Sequence, residues 1–338
     1  MEYRRLGSAG LKISRVALGC GNFGGIGSAP AFYGMGETEE QAFELMDRAV
    51  DAGINVFDTA DAYGGGRSES YIGRWLQARG PRARDRVLLS SKVFNPTGPG
   101  PNDRGLSRRR VLQQADASLR RLRTDRLDMY LIHEPDPETP IEETLGALDD
   151  LVRAGKVLYV GASNIEAWRL SHALAASQSR SLVRFGWVQN SYSLLDRTAE
   201  RELFPLCEAH GIGFTAFSPL AGGWLTGKYN RGAPYPGGSR MTLRPEPYRH
   251  LEREAVFSGL AALADEARAR GVSMSALALA WALAQPRMDA AIVGPRRPAH
   301  LEDALAALTI ALDAGDCRRL GALFADARTS TGDQETTR

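Results

Sequence analysis

Cysteine is scarce in this chain: three among 338 residues, Cys20, Cys207 and Cys317, in no close spacing. That argues against a disulfide framework and against a structural zinc site. Net charge is nearly absent too, +2 from 42 Lys+Arg against 40 Asp+Glu. Nucleic-acid binding usually needs a concentrated basic face, and this balance does not supply one. The densest basic runs, Arg108-Arg109-Arg110 and Arg120-Arg121-Leu122-Arg123, share one helical pattern and read as a solvated helix face. No apolar run approaches the ~18 residues that span a bilayer. The opening Met1-Glu2-Tyr3-Arg4-Arg5 has no apolar signal region behind it. The expectation is a cytoplasmic protein with no metal, no membrane partner and no nucleic-acid partner.

What is present is a globular composition, 43% hydrophobic and 24% charged, enough for a large core. Residues 3–14 read as a β-hairpin around Gly7-Ser8-Ala9-Gly10. Eight apolar runs then alternate with helical patterns: 15–18, 54–57, 87–93, 127–133, 157–163, 185–189, 213–218 and 290–293. The runs are continuous, as strands covered on both faces must be. Helices are expected from the capping box at Thr38 and Gln41, over 68–79, from Ser107, from Thr139-Pro140-Ile141-Glu142, over 165–178, around 200–210, and over 251–270 and 273–283. Two more follow the last strand, over 298–308 and 314–327. Eight βα units in about 300 residues match one (β/α)8 TIM barrel. The expected domain is 1–327, with an N-terminal hairpin, extra helices near the C-terminus, and a disordered polar tail at 328–338.

Gly19-Cys20-Gly21-Asn22-Phe23-Gly24 fits the G-x-G-x-x-G dinucleotide fingerprint and follows a strand. The fingerprint needs a helix opening on its glycines, and Gly25-Ile26-Gly27-Ser28-Ala29-Pro30 cannot start one. The Rossmann reading is therefore rejected, and the glycines are expected to let a loop cross the barrel mouth closely.

Barrel chemistry sits at the C-terminal strand ends. There the chain delivers Gly21/Asn22, Asp58, Lys92, His133, Ser163/Asn164, Gln189, Ser218 and Gly294, with Tyr63 just past Asp58. One such residue is weak evidence; four convergent ones suggest a proton-donating site. A free phenol has a pKa near ~10 and gives up its proton sluggishly at neutral pH. A nearby lysine cation is expected to lower it by ~2–3 units, which takes ~3–4 kcal/mol. Asp58 would keep Lys92 charged, and His133 would bond the substrate oxygen or relay a proton to Tyr63.

With these residues in place, the chain resembles the aldo-keto reductase superfamily along nearly its whole length. The matching pieces are 18–24, Asn55 to Tyr63-Gly64, Ser91-Lys92-Val93, Asp128 to His133, Gly161-Ala162-Ser163-Asn164, Gln189-Asn190-x-Tyr192, Phe217-Ser218-Pro219-Leu220 and Leu225-Thr226-Gly227-Lys228-Tyr229. The last two resemble the branch holding potassium-channel β subunits and bacterial sugar or aldehyde reductases. The resemblance implies NADP(H), no metal, a catalytic set of Asp58, Tyr63, Lys92 and His133, and a small carbonyl substrate. It implies that Ser163, Asn164 and Gln189 bond the nicotinamide amide and that Phe217 stacks on its ring. It implies that Ser218, Leu220, Lys228 and Arg240 hold the pyrophosphate, with Gly21, Asn22 and Pro219 also at the cofactor. Gly294, Arg296, His300 and Asp303 fall on the phosphate and adenosine side, where Ala304 replaces the Asn common in the family.

The competing expectation is a cofactor-binding regulatory subunit with weak turnover, of the channel β type. Phe23, Phe32, Tyr33, Phe94 and Trp224 are candidates for the wall of a substrate pocket. Neither substrate identity nor oligomeric state is legible in the sequence.

Overall fold

The apolar runs become strands because each is enclosed on both faces, and in the computed structural model, which describes residues 1–325, they close on themselves. The hairpin is β1 (Tyr3–Arg5) against β2 (Lys12–Ser14), antiparallel. The barrel strands are β3 (Val16–Gly19), β4 (Val56–Asp58), β5 (Leu88–Val93), β6 (Leu127–Ile132), β7 (Val157–Ser163), β8 (Trp187–Ser191), β9 (Gly213–Phe217) and β10 (Ala290–Val293). They run in sequence order, with β10 pairing β3 to complete a closed parallel barrel. The expected (β/α)8 architecture and its N-terminal hairpin are what the structure has. The tail expected at 328–338 lies outside the described residues.

Helices pack around the barrel: α1 (Glu39–Asp51), α2 (Arg67–Arg79), α3 (Pro81–Arg86), α4 (Arg108–Leu122), α5 (Ile141–Arg153), α6 (Ala167–Arg180) and α7 (Leu203–His210). Between β9 and β10 come the short α8 (Arg240–Leu243), then α9 (Glu254–Ala269) and α10 (Met274–Leu283). After β10 follow α11 (Pro298–Ala306) and α12 (Ala314–Ala322). The capping box at Thr38 and Gln41 forms as expected, each side chain bonded to the other's backbone N–H.

Local physics overrules the sequence reading in several places. Thr139 does not cap α5: its hydroxyl donates to Asp136 Oδ2 at 2.8 Å, and Pro140 is the cap residue. Helix α6 starts later than Ile165, because Asn164 is left-handed (φ 53°) and the Asn190 amide brackets Ile165 on both its N–H and C=O. Helix α3 follows Gly80 directly, with Pro81 in its first turn.

The glycine loop after β3 crosses the barrel mouth, not a helix start. Gly64, in the tyrosine turn, has φ 58°, and a Cβ there would lie 2.8 Å from the Phe23 carbonyl oxygen. A Cβ on Gly25 would meet Gly64 Cα at 2.7 Å. The two turns therefore touch through backbone alone, and Gly64 N–H donates to Gly27 O at 2.9 Å.

The basic run on α4 is not a solvated face throughout. Arg110 is 1% exposed, and Arg121 reaches the fully buried Glu69 at 2.6 Å. Together with Asp61 and Tyr130 they form a polar layer behind the β4–β5–β6 wall. Arg110 Nη2 lies 3.6 Å from Asp61 Oδ2, too far to bond, and neither Asp61 oxygen has a hydrogen-bond partner. Burial, and then the charge of Glu69, pushes the Asp61 carboxyl up to about 8, against Arg110 and Arg121. An acid whose folded pKa is raised binds its proton more tightly folded than unfolded, so stability falls as pH rises between the two values. Thermal denaturation of wild type should show a declining Tm from about pH 5 to about pH 8, and Asp61→Asn, which mimics the neutral acid, should flatten that slope. Parallel slopes in the two proteins would show that Asp61 is ionised throughout.

Candidate active site

Strand β4 ends on Asp58, β5 carries Lys92 in its fifth position, and His133 follows β6 directly. Side chains alternate across a strand, so these positions can turn into the mouth while apolar neighbours pack outward. Lys92 has no exposed surface, and Asp58 is 4% exposed. The ammonium donates to Asp58 Oδ2 at 2.6 Å and to the Thr59 carbonyl at 2.9 Å. Asp58 Oδ1 accepts from the Ser90 hydroxyl at 3.0 Å and from Gln189 Nε2 at 2.9 Å. The pair is thus bonded on both sides, as a buried charge pair must be.

Lys92 Nζ lies 5.1 Å from the Tyr63 ring centroid. The Tyr63 hydroxyl is 3.4 Å from His133 Nε2, and the two rings meet edge to face at 5.5 Å. A Cβ on Gly21 would stand 3.5 Å from the tyrosine ring, so the glycine loop covers it closely. All four residues expected to converge do so.

Their electrostatics differ from expectation in one respect. Burial is the largest influence on Lys92 and opposes its charge, but Asp58 and Tyr63 together outweigh it and hold the ammonium above its ordinary value. Burial and then Lys92 push His133 well below the usual histidine range, leaving a neutral imidazole. Tyr63 is raised, not lowered: burial pushes its hydroxyl up, Lys92 opposes this, and Asp58 adds to it. The expectation of a depressed phenol considered the cation and omitted desolvation. The lysine still favours phenolate relative to a site without it, but the resting group is a protonated phenol.

Of the residues expected at the nicotinamide, Ser163 is buried at the end of β7, and Gln189 spends its Nε2 on Asp58. Asn164 is exposed and donates to the His133 carbonyl at 3.0 Å. Phe217 ends β9 half-buried; Pro219 is buried and Leu220 half-buried. Ser218 Oγ lies 3.3 Å from the Tyr248 hydroxyl.

A second, cationic cluster gathers at the same mouth. Arg240 donates to Asn22 Oδ1 at 2.8 Å. Arg296 donates to Glu37 Oε1 and to the Gly238 carbonyl, both at 2.8 Å. His300 accepts from the Arg296 N–H at 3.3 Å and stands 3.0 Å from Arg297 Nε. Lys228 is pushed down, first by desolvation of its ammonium and then by Arg240, Arg296 and Arg297. Gly294 leaves open space beside Asn22, since a Cβ there would reach nothing nearer than 3.8 Å. Such mutual repulsion beside open backbone suits a polyanion, and the residues fit the phosphates of a dinucleotide. Asp303, expected on the adenosine, instead accepts hydrogen bonds from the Ser273 and Ser275 hydroxyls at the start of α10. Ala304, in the position where relatives often place Asn, is buried.

The model of the Aldo/keto reductase family matches residues 16–324. The chain belongs to that family. This aldo/keto reductase is 39% identical to the uncharacterized oxidoreductase YrpG of Bacillus subtilis, covering 96% of each chain. It is 36% identical to a probable voltage-gated potassium channel subunit beta of Arabidopsis thaliana, over 92% of each. It is 34% identical to the L-glyceraldehyde 3-phosphate reductase of Escherichia coli, over 91% of this chain and 88% of that one. Among the described residues, no helix of this aldo/keto reductase is long and apolar enough to cross a membrane.

Sequence reasoning missed Ser90, Glu37, Tyr248 and Asn95, whose amide lies 3.0 Å from His133 Nδ1. None ends a strand, so the signal that found the others could not find them. Trp224 and Phe23, expected as pocket walls, are wholly buried, Trp224 among Tyr229, Tyr235 and Phe257. Phe94 is also buried, while Phe32 and Tyr33 are half-exposed.

Removing one partner of a buried ion pair strands the other charge and costs about 3–5 kcal/mol. Lys92→Met should therefore lose about that much stability in chemical denaturation. Lys92→Met with Asp58→Asn should recover part of it, and strictly additive losses would show that the two charges do not interact.

Proposed function

We propose that this aldo/keto reductase reduces an aldehyde, ketone or sugar-like carbonyl to the alcohol with NADPH, using Tyr63 as the proton donor. The observation that carries the reading is the half-buried Tyr63 hydroxyl set between Lys92 and a neutral His133. When bound, the reduced nicotinamide supplies a hydride to the carbonyl carbon. The chain's own residues manage the oxygen. Tyr63 gives its proton to the oxygen as charge develops there, and Lys92 stabilises the phenolate left behind. Asp58 keeps Lys92 charged throughout. His133, being neutral, does not compete as an acid; it orients the oxygen beside Tyr63. In the reverse direction Tyr63 acts as the base.

Ser163, Asn164 and Gln189 would hold the nicotinamide amide, with Gln189 shared between that task and Asp58. Phe217 would lie against the ring. Lys228, Arg240, Asn22, Ser218, Pro219, Leu220 and the Gly21 loop would line the pyrophosphate, and Arg296 and His300 the adenosine phosphate. A channel β-type regulatory role is the alternative, and the intact tetrad favours turnover.

Two measurements test this. Tyr63→Phe should abolish NADPH-dependent reduction of a generic aldehyde while NADPH affinity stays within a few-fold; near-normal turnover refutes the assignment. Arg296 can bond the 2′-phosphate through its fork, at the cost of its pairing with Glu37. A charge-assisted contact is worth about 1.5–3 kcal/mol, roughly ten- to a hundred-fold in affinity. Wild type should bind NADPH more tightly than NADH, and Arg296→Ala should lose most of that ratio with NADH binding barely changed. Equal wild-type affinities, or an unchanged ratio in the variant, would contradict it.

A further inference from the structure

His133 has two ring nitrogens with different neighbours. Nε2 faces the Tyr63 hydroxyl at 3.4 Å, and Nδ1 faces the side-chain amide of Asn95 at 3.0 Å. The ring carries one proton, because burial and the Lys92 charge exclude the imidazolium. Which nitrogen holds that proton decides what the ring offers the reacting oxygen: a donor if it is Nε2, a lone pair if it is Nδ1. Asn95 Nδ2 is the atom turned to Nδ1. An amide NH2 can only donate, so Nδ1 must accept and the proton must sit on Nε2.

The backbone that carries Asn95 is held by several contacts. It is half-buried in the loop after β5, three residues beyond Lys92. Arg110, 1% exposed on α4, donates through Nη2 to the Asn95 carbonyl at 3.1 Å and to the Thr97 hydroxyl at 3.0 Å. The flanking backbone is pinned by Gly105 N–H on the Phe94 carbonyl at 2.8 Å and by Thr97 N–H on the Asp103 carbonyl at 3.1 Å. His133 is fixed from the other side, its N–H bonding the Val93 carbonyl at 2.9 Å and its carbonyl accepting from Asn164. These contacts hold the backbones that carry Asn95 and His133 at this separation.

We infer that Asn95 is a positioning residue for the reduction: its side-chain amide holds His133 as the Nε2–H tautomer, so that an N–H is directed at the oxygen Tyr63 protonates. The catalytic half of this rests on the reading of Tyr63 as the acid; the tautomer half does not. Asn95 acts on the reaction through the imidazole. Arg110 makes the connection rigid from the barrel's outer layer inward.

The test is a long-range nitrogen–proton NMR correlation of the histidine rings, which separates the two neutral tautomers and the cation by their nitrogen shifts. The protein is taken without cofactor, and the His133 signals are assigned by their absence in His133→Gln. Wild type is expected to show the Nε2–H tautomer alone. Asn95→Asp is nearly isosteric, so the fold should persist. Its carboxylate can only accept, and it should draw the proton to Nδ1 or charge the ring. Asn95→Leu should give a mixture. In both variants kcat for aldehyde reduction should fall by about ten- to a hundred-fold, with NADPH affinity within a few-fold of wild type. An Nδ1–H ring in wild type, or an unchanged Nε2–H ring in both variants, overturns the inference. Wild-type Nε2–H that Asn95→Asp shifts, in a protein that reduces no carbonyl, upholds the positioning and refutes the proposed reaction instead.

Discussion

A lysine with no access to water is tolerated only if its charge is met at close range, and Lys92 meets Asp58 at 2.6 Å and the Thr59 carbonyl at 2.9 Å. The remainder of the mouth follows from satisfying that pair. Ser90 and Gln189 are committed to the other carboxylate oxygen. Burial and then the Lys92 cation keep His133 neutral, and Lys92 works against the desolvation of Tyr63. Replacing the pair with apolar groups could cost little in stability, but it would remove the one charge that favours a phenolate in this buried setting.

The closed barrel makes that pair possible. Adjacent parallel strands bring Asp58 beside Ser90, and Lys92 beside Leu131, by register alone. The helices outside keep the far side dry, and the polar layer of Asp61, Glu69, Arg110 and Arg121 lies between strands and helices. Chemistry and scaffold are thus connected through Arg110, which grips the loop bearing Asn95 from beneath.

Much of this was legible in the sequence, because strand periodicity places polar ends at one mouth and each of Asp58, Lys92 and His133 closes an apolar run. The rejection of a Rossmann reading at Gly19 to Gly24 rested on backbone chemistry and held for that reason. What was not legible depended on three-dimensional neighbours. Arg110 looked like surface because its helix pattern is basic, yet it sits at 1% exposure. The direction of the Tyr63 shift required knowing its burial. Glu37 could not be paired with Arg296 across 259 residues from spacing alone. Thr139 resembled a helix cap until Asp136 claimed its hydroxyl.

The central claim is that the acid is a protonated phenol beside a neutral imidazole, and the pH dependence of carbonyl reduction by wild type tests it most directly. A phenol held above its ordinary 10.0 and an imidazole held well below 6.5 mean that neither Tyr63 nor His133 titrates near neutrality. The account predicts kcat/KM for a generic aldehyde, measured with saturating NADPH, that is level across neutral pH and falls only on the far alkaline side. A rate that falls through an apparent pKa near the ordinary histidine value would contradict it, for that would make a His133 imidazolium the proton source.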